Sequence, residues 1–395
     1  MVATDPRLEE KSIAEKAMRR LGKSLRQLAA ALAAVSIQAA ASDLVVAQIA
    51  PITGQLTASG IGNAVGAKAH FDQVNAQGGI NGQKIRFVLE DDRYNSEETI
   101  RLLQLVANRD KPVAFVNLVG SATVSAVLKD KTLDRIGIPI IGVTPGSEVL
   151  RSPGNPWLFH VHAGDRAQIK RLVSHLSTLA MTRIAVVYQD IPFGKAALSF
   201  VDELTPDLKV KVVARIPVSA AAEDLKPAAH QLKAAGAQAY LMLLQSNSAA
   251  SFVRDVRASA DLTPIYGMSY VPVSGILDKA SPAGATGVAL AQVTPNPSAS
   301  LTGLTRDFHA TMDKFAPPGT EHSQLHLIGY LAARVTTEAL RRAGPAPTPE
   351  RVAASLRQMR VDLGGYAIDF PGIGSNVGSQ FVDIGVITRS GRLMY

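Results

Sequence analysis

Cysteine is absent from this 395-residue chain. That excludes disulfides, thiolate metal sites and a thiol nucleophile. It leaves the redox compartment open, because a chain long enough for two domains can rely on hydrophobic cores alone. Long apolar runs are missing too: no stretch approaches the roughly 18 apolar residues of a membrane-spanning helix. The common catalytic signatures GxSxG, GxxxxGK[ST], HExxH and a GxGxxG after the first strand-like run do not occur. A formal net charge of +8 suggests a polyanion partner, but residues 1–41 carry +3 of it and the remaining charges alternate in sign. A solvated surface and no nucleic-acid footprint are expected.

What is present begins with a localisation signal. Met18-Arg19-Arg20-Leu21-Gly22-Lys23 is basic, Leu28 to Val35 is apolar and alanine-rich, and Gln38-Ala39-Ala40-Ala41 offers small residues before Ser42. This order is that of a secretory signal cleaved near Ala41, which predicts export to the periplasm, with Met18 as a natural start.

From Leu44 the pattern is regular. Leu44 to Ala50 reads as a buried strand. Ala64, Ala67, Phe71 and Val74 recur at helical spacing, and Gly78-Gly79 ends that helix. A strand at Ile85 to Leu89, a helix capped by Asn95, and strands at Val113 to Leu118 and Ile138 to Gly142 follow. The rhythm restarts with a helix at Ala167 to Leu179, then strands at Arg183 to Tyr188, Val210 to Val218, Ala239 to Leu244 and Ile265 to Met268. A last segment holds helices at His322 to Arg342 and Pro349 to Met359 and strand-like runs at Gly365 to Phe370 and Gln380 to Thr388. Strand alternating with helix predicts two α/β units with parallel sheets.

Two such units leave a cleft, and ligands bind beyond the carboxyl ends of the strands. The loops after Ala50, Leu118, Gly142, Tyr188, Leu244 and Met268 therefore matter most. They contain Gln55, then Ser121 opening a helix, then Thr144, Pro145, Gly146 and Ser147, then Phe193, then Gln245 and Ser246, then Ser269 and Tyr270. Hydroxyls, amides and aromatic rings suit capture of a small polar acid with an apolar body. Ser121 at a helix start can offer its hydroxyl with free backbone N–H groups to a carboxylate. Asp190, the one carboxylate in these loops, reads as a turn residue. His160 with His162, and His322 with His326, lack the further ligands a metal needs, and Glu90-Asp91-Asp92 reads as capping at a strand end. No metal, cofactor or catalytic residue is expected.

At these loops the sequence resembles the type 1 periplasmic binding proteins of ABC importers, in the leucine/isoleucine/valine-binding branch. The resemblance is carried by Leu44 to Gly54, Gly78-Gly79-Ile80-Asn81-Gly82-Gln83-Lys84-Ile85, Glu90 to Asn95, Ile138 to Gly142, Phe159-His160-Val161 and Arg183 to Asp190 with Phe193-Gly194-Lys195. It implies two Rossmann-like lobes with parallel sheets joined by a three-crossover hinge. The crossings fall near Phe159 to His162, Val288 to Val293 and Val361 to Gly365. The first lobe would take residues 42–160 with 291–362, and the second 161–290 with 363–395. By the same resemblance Ser121 holds the ligand carboxylate, and Thr144 and Pro145 give backbone contacts with Gly146 or Ser147 beside them. Phe193 and Gln245 or Ser246 close from the second lobe. Ser269 or Tyr270 stands where amino-acid binders carry the acid that pairs with the ligand ammonium. That acid is missing, so the expected ligand is an aromatic or aliphatic organic acid in preference to an amino acid. The implied partners are a membrane permease and its ATPase subunits, with this chain a monomer and no enzyme. A ligand-sensing receptor on the same fold is the alternative; an α/β enzyme and a purely structural exported protein are weaker ones.

Overall fold

A computed structural model describes residues 43–219, 222–374 and 376–395. The secretory segment expected over residues 1–41 lies outside the described residues. Among them no helix is long and apolar enough to cross a membrane.

The first lobe opens with β1 (Leu44–Ala50), α1 (Thr57–Ala76), β2 (Ile85–Asp91), α2 (Ser96–Arg109), β3 (Ala114–Val116), α3 (Ser121–Lys129), α4 (Thr132–Ile136), β4 (Ile140–Ile141) and β5 (Leu158–Phe159). The strands form one parallel sheet in the order β2-β1-β3-β4-β5. The second lobe follows with α5 (Asp165–Thr178), β6 (Arg183–Gln189), α6 (Pro192–Leu204), β7 (Lys211–Val218), α7 (Lys226–Ala234), β8 (Ala239–Leu243), α8 (Ser246–Ala258), β9 (Ile265–Gly267), α9 (Val273–Ala285) and β10 (Val288–Gln292). Its parallel strands repeat the first lobe's order, β7-β6-β8-β9-β10. The antiparallel strands β13 (Asp383–Ile387) and β14 (Leu393–Met394) extend the sheet beyond β10. Between β10 and β13 the chain returns to the first lobe as α10 (Gly303–Phe315), α11 (Gln324–Ala343), α12 (Pro349–Arg357), the hairpin β11 (Arg360–Asp362) with β12 (Ala367–Asp369), and α13 (Phe370–Ile373).

The two-residue period of the strands sorts their side chains onto opposite faces. On β1, Leu44 and Val46 enter one core while Ala47 and Ile49 enter the other. On β6, Ala185 and Val187 face one way and Ile184 and Val186 the other. Burial on both faces is why these strands read as near-continuous apolar runs. Asn95 caps α2 as expected, its side chain accepting from the amides of Glu97 and Glu98. Glu98 does not reach back to complete a capping box; it pairs with Arg101.

Two crossings differ from expectation. Val288 to Gln292 is a strand of the second sheet, so the second passage starts at Val293. Val361 to Gly365 belongs to the β11–β12 hairpin. Leu363, Tyr366, Ile368 and Phe370 bury in the first lobe's core, so the third passage comes after that hairpin. The division at 291 and 362 therefore moves toward the C-terminus on both counts. Periodicity shows buried residues but not which of two neighbouring cores receives them.

All three passages meet at Tyr366, whose side chain is fully buried. Its hydroxyl lies 3.0 Å from the Val161 carbonyl in the first passage and 3.1 Å from the Val293 carbonyl in the second. Its ring packs on Phe381 in the third. The first and third passages also pair directly: His160 N–H donates to Asn376, and Gly378 N–H donates to His160.

Glycines allow α1 and α11 to touch backbone to backbone. A methyl group on Gly66 would overlap the His326 carbonyl oxygen, and one on Gly329 would overlap that of Asn63. Gly329→Ala is expected to lower stability in urea unfolding by about 1–3 kcal/mol, overpacking outweighing the gain in helix propensity. An unchanged midpoint would show that the helices can separate freely.

Candidate functional site

In a sheet of order 2-1-3-4-5 the switch point falls between the first and third strands. Here that selects the ends of β1 and β3 in one lobe and of β6 and β8 in the other. All six loops singled out from the sequence leave the carboxyl ends of these sheets, from β1, β3, β4, β6, β8 and β9.

In the first lobe the loops are tied down from behind. Asp91, at the end of β2, accepts from the amides of Ile52, Thr53 and Arg93 and from the Thr53 hydroxyl. Partial burial tends to raise its carboxyl, but those hydrogen bonds prevail and hold it at about 2. Asp92 is buried and accepts from Tyr94 N–H and the Thr99 hydroxyl. The acidic run thus caps and braces, as its sequence suggested. Gln55 projects from the following turn and is exposed.

Ser121 begins α3 and is exposed. Gly120 before it has φ +90°, and a side chain there would collide with the ring of Tyr94. Thr144 is half-buried, and its hydroxyl oxygen accepts from Asn63 Nδ2 at 2.8 Å, leaving its own proton to donate. The Pro145 carbonyl is taken by the Arg151 guanidinium at 3.2 Å. Gly146 accepts the Asp165 amide at 2.8 Å. Ser147 starts the short turn of 3-10 helix at Glu148–Leu150.

In the second lobe the loops assemble around Tyr270. Its ring meets Phe193 edge-on at 5.4 Å, and its carbonyl accepts the Ser246 hydroxyl at 3.1 Å. Ser269 N–H donates to Gln168 Oε1 on α5 at 3.0 Å. Gln245 donates its amide to Gln189, and the residue is exposed. Asp190 pairs with Lys195 at 2.8 Å on the surface, in keeping with a turn residue. Phe193, Ser246, Ser269 and Tyr270 form one cluster, and Gln245 stands beside it.

Sequence reading missed the charged group where the lobes meet. Arg151 is 1% exposed; it donates to the His162 carbonyl at 2.9 Å and to that of Pro145. Asp165 is 5% exposed, at the start of α5, and its Oδ1 stands against Gly146. Burial pushes its carboxyl up to about 7, with Arg151 opposing and Glu148 adding to the rise. Burial, and then Arg151, lowers His162 to about 4 and His160 well below its usual range. Nothing in Val149-Leu150-Arg151-Ser152 or Ala163-Gly164-Asp165-Arg166 marks these side chains as buried partners, since the contact joins segments that are apart in sequence.

Their titrations have opposite signs. Between about pH 4 and 7 the folded protein keeps a proton on Asp165 that the unfolded chain releases, so its contribution to stability falls as pH rises. The two histidines stay neutral when folded and charge when unfolded below about pH 6.5, so theirs rises with pH. Comparison with Asp165→Asn separates the two. The stability of wild type relative to this variant is expected to decline as urea titrations move from about pH 4.5 to 7.5. A difference independent of pH would mean that Asp165 ionises as in water.

A family profile described as periplasmic binding protein matches residues 43–376. Leu/Ile/Val-binding protein homolog 8 of Brucella suis is 24% identical over 368 residues, covering 87% of this chain and 88% of that protein. The extracellular ligand-binding receptor from Verminephrobacter eiseniae superposes with a TM-score of 0.82 at 35% identity, covering 89% of this chain and all of that one. A fatty acid ABC transporter substrate-binding protein from Thermomonospora curvata shares the fold at a TM-score of 0.75 and 19% identity, covering 87% and 88%. With sheets of matching order, loops of both lobes at one set of strand ends and a family match over most of its length, this chain belongs to the periplasmic binding protein family.

Proposed function

We propose that this chain is the solute receptor of an ABC importer, and that it closes over a small carboxylate and carries it to a membrane permease driven by ATPase subunits. What supports this reading is exposed Ser121 at the start of α3 in one lobe and the Tyr270–Phe193–Ser246 cluster in the other, both on loops at the carboxyl ends of the strands. A carboxylate at Ser121 meets a hydroxyl and the positive end of a nine-residue helix. The Thr144 hydroxyl, its oxygen already held by Asn63, has its proton free for the same anion. The aromatic pair supplies an apolar wall for the ligand body, brought closer by rotation about the hinge.

The ligand favoured here is an organic acid in preference to an α-amino acid. The loop after β9 offers Ser269 and Tyr270, neither of which can neutralise a buried ammonium. A relative named for leucine, isoleucine and valine and a fold neighbour named for fatty acids carry ligands with one group in common, the carboxylate. Turnover is not expected, because Asp190 is paired to Lys195 on the surface and Asp165 is buried beside Arg151.

A thermal-shift screen of carboxylates and amino acids tests this, on protein unfolded and refolded to release carried ligand. Organic acids are expected to raise the transition at concentrations where leucine does not. Ser121→Ala is expected to weaken the best of them about tenfold or more by calorimetry. Chemical conversion of the ligand, or equal affinity in Ser121→Ala, would count against the reading.

A further inference from the structure

Tyr270 Oη and Asp165 Oδ1 are among the buried polar atoms without a hydrogen-bond partner in the described residues, as are Arg151 Nε and His162 Nε2. Neither the phenol nor the carboxyl is loosely placed. Tyr270 is held by Phe193 against its ring and by Ser246 on its carbonyl. Its neighbour Ser269 is tied to Gln168, one turn along α5 from Asp165. Asp165 is anchored through its own amide to Gly146 in the first lobe's loop, with its carboxyl oxygen resting on that glycine. Leaving a buried polar group unmatched costs about 1–3 kcal/mol, and a ligand group that bonds to both of these atoms recovers that cost.

Donor and acceptor counting narrows what that is. The phenol has one proton to give, and a carboxyl oxygen accepts. An apolar group on the ligand satisfies neither. An ammonium only donates, so the Tyr270 proton would still lack an acceptor. A hydroxyl does both: its proton goes to Asp165 Oδ1 and its oxygen takes the Tyr270 O–H. Arg151 is buried beside Asp165 and Glu148, with His160, His162 and Tyr366 near the guanidinium.

We infer that Asp165 and Tyr270 form a hydroxyl-reading subsite, and that the ligand is a hydroxylated organic acid. This rests on the carboxylate-receptor reading above and specifies the second functional group. The subsite draws on both lobes, Asp165 being seated on Gly146 of one and Tyr270 set in a loop of the other, so a ligand hydroxyl there would favour the closed form.

Calorimetry with one carbon skeleton tests it: 3-phenylpropanoate, 3-phenyllactate, 3-(4-hydroxyphenyl)propanoate and phenylalanine, on wild type, Tyr270→Phe and Asp165→Asn. In wild type one of the two hydroxyl compounds is expected to bind at least about tenfold tighter than 3-phenylpropanoate, because a site built to bond a hydroxyl rejects the analogue lacking it. In Tyr270→Phe that ratio is expected to fall toward one. The inference is overturned if 3-phenylpropanoate or phenylalanine binds wild type as tightly as the tighter of the two hydroxyl compounds, or if Tyr270→Phe keeps the full preference. Should Asp165→Asn fail to fold, Tyr270→Phe carries the decision. If none of the four binds wild type, the carboxylate reading fails with it; carboxylate binding without hydroxyl preference sinks only the subsite.

Discussion

Three lengths of chain must pass between the lobes, and their backbone groups leave the sheets that would otherwise satisfy them. Burying such groups unpaired is costly. Tyr366 meets that constraint, with one hydroxyl shared between the carbonyls of Val161 and Val293 and its ring against Phe381. The short pairing of His160 with Asn376 and Gly378 completes the node. Because Tyr366 sits in the core of the first lobe, the passages are anchored to that body.

The buried charges sit beside that node and connect it to the cleft. Arg151 holds the Pro145 carbonyl of the cleft loop and the His162 carbonyl of the first passage with one planar group. Such a cation tolerates burial only with compensating groups; Glu148 and Asp165 lie near it and the carbonyls of His162 and Pro145 accept from it. The loop that carries Thr144 is thereby tied to the first passage.

Most of the α/β scaffold was legible from the chain. Leu44 to Ala50 was read to the residue, because a strand buried on both faces leaves an uninterrupted apolar run. Asn95 and the Gly78-Gly79 stop were legible because caps and glycine turns act within a few residues. The run at Val288 to Gln292 reads as a crossing in the sequence, and the helix Gly303 to Phe315 does not stand out there. In both cases the local pattern is compatible with either reading, and the choice depends on which distant core accepts the side chains. In the cleft, the loops carrying Ser121, Thr144, Phe193 and Tyr270 could be named from strand-end logic alone, whereas Asp165 and Arg151 could not.

The order of elements, the chemistry of the six loops and the lack of an acid after Met268 belong to the sequence, since each depends on neighbours along the chain. That Asp165 comes to rest on Gly146, that Arg151 vanishes from solvent between two loops, and that Tyr366 gathers three passages were decided by tertiary structure. Each is a contact between segments brought together only when both lobes have formed, and each involves a polar group whose burial no local pattern announces.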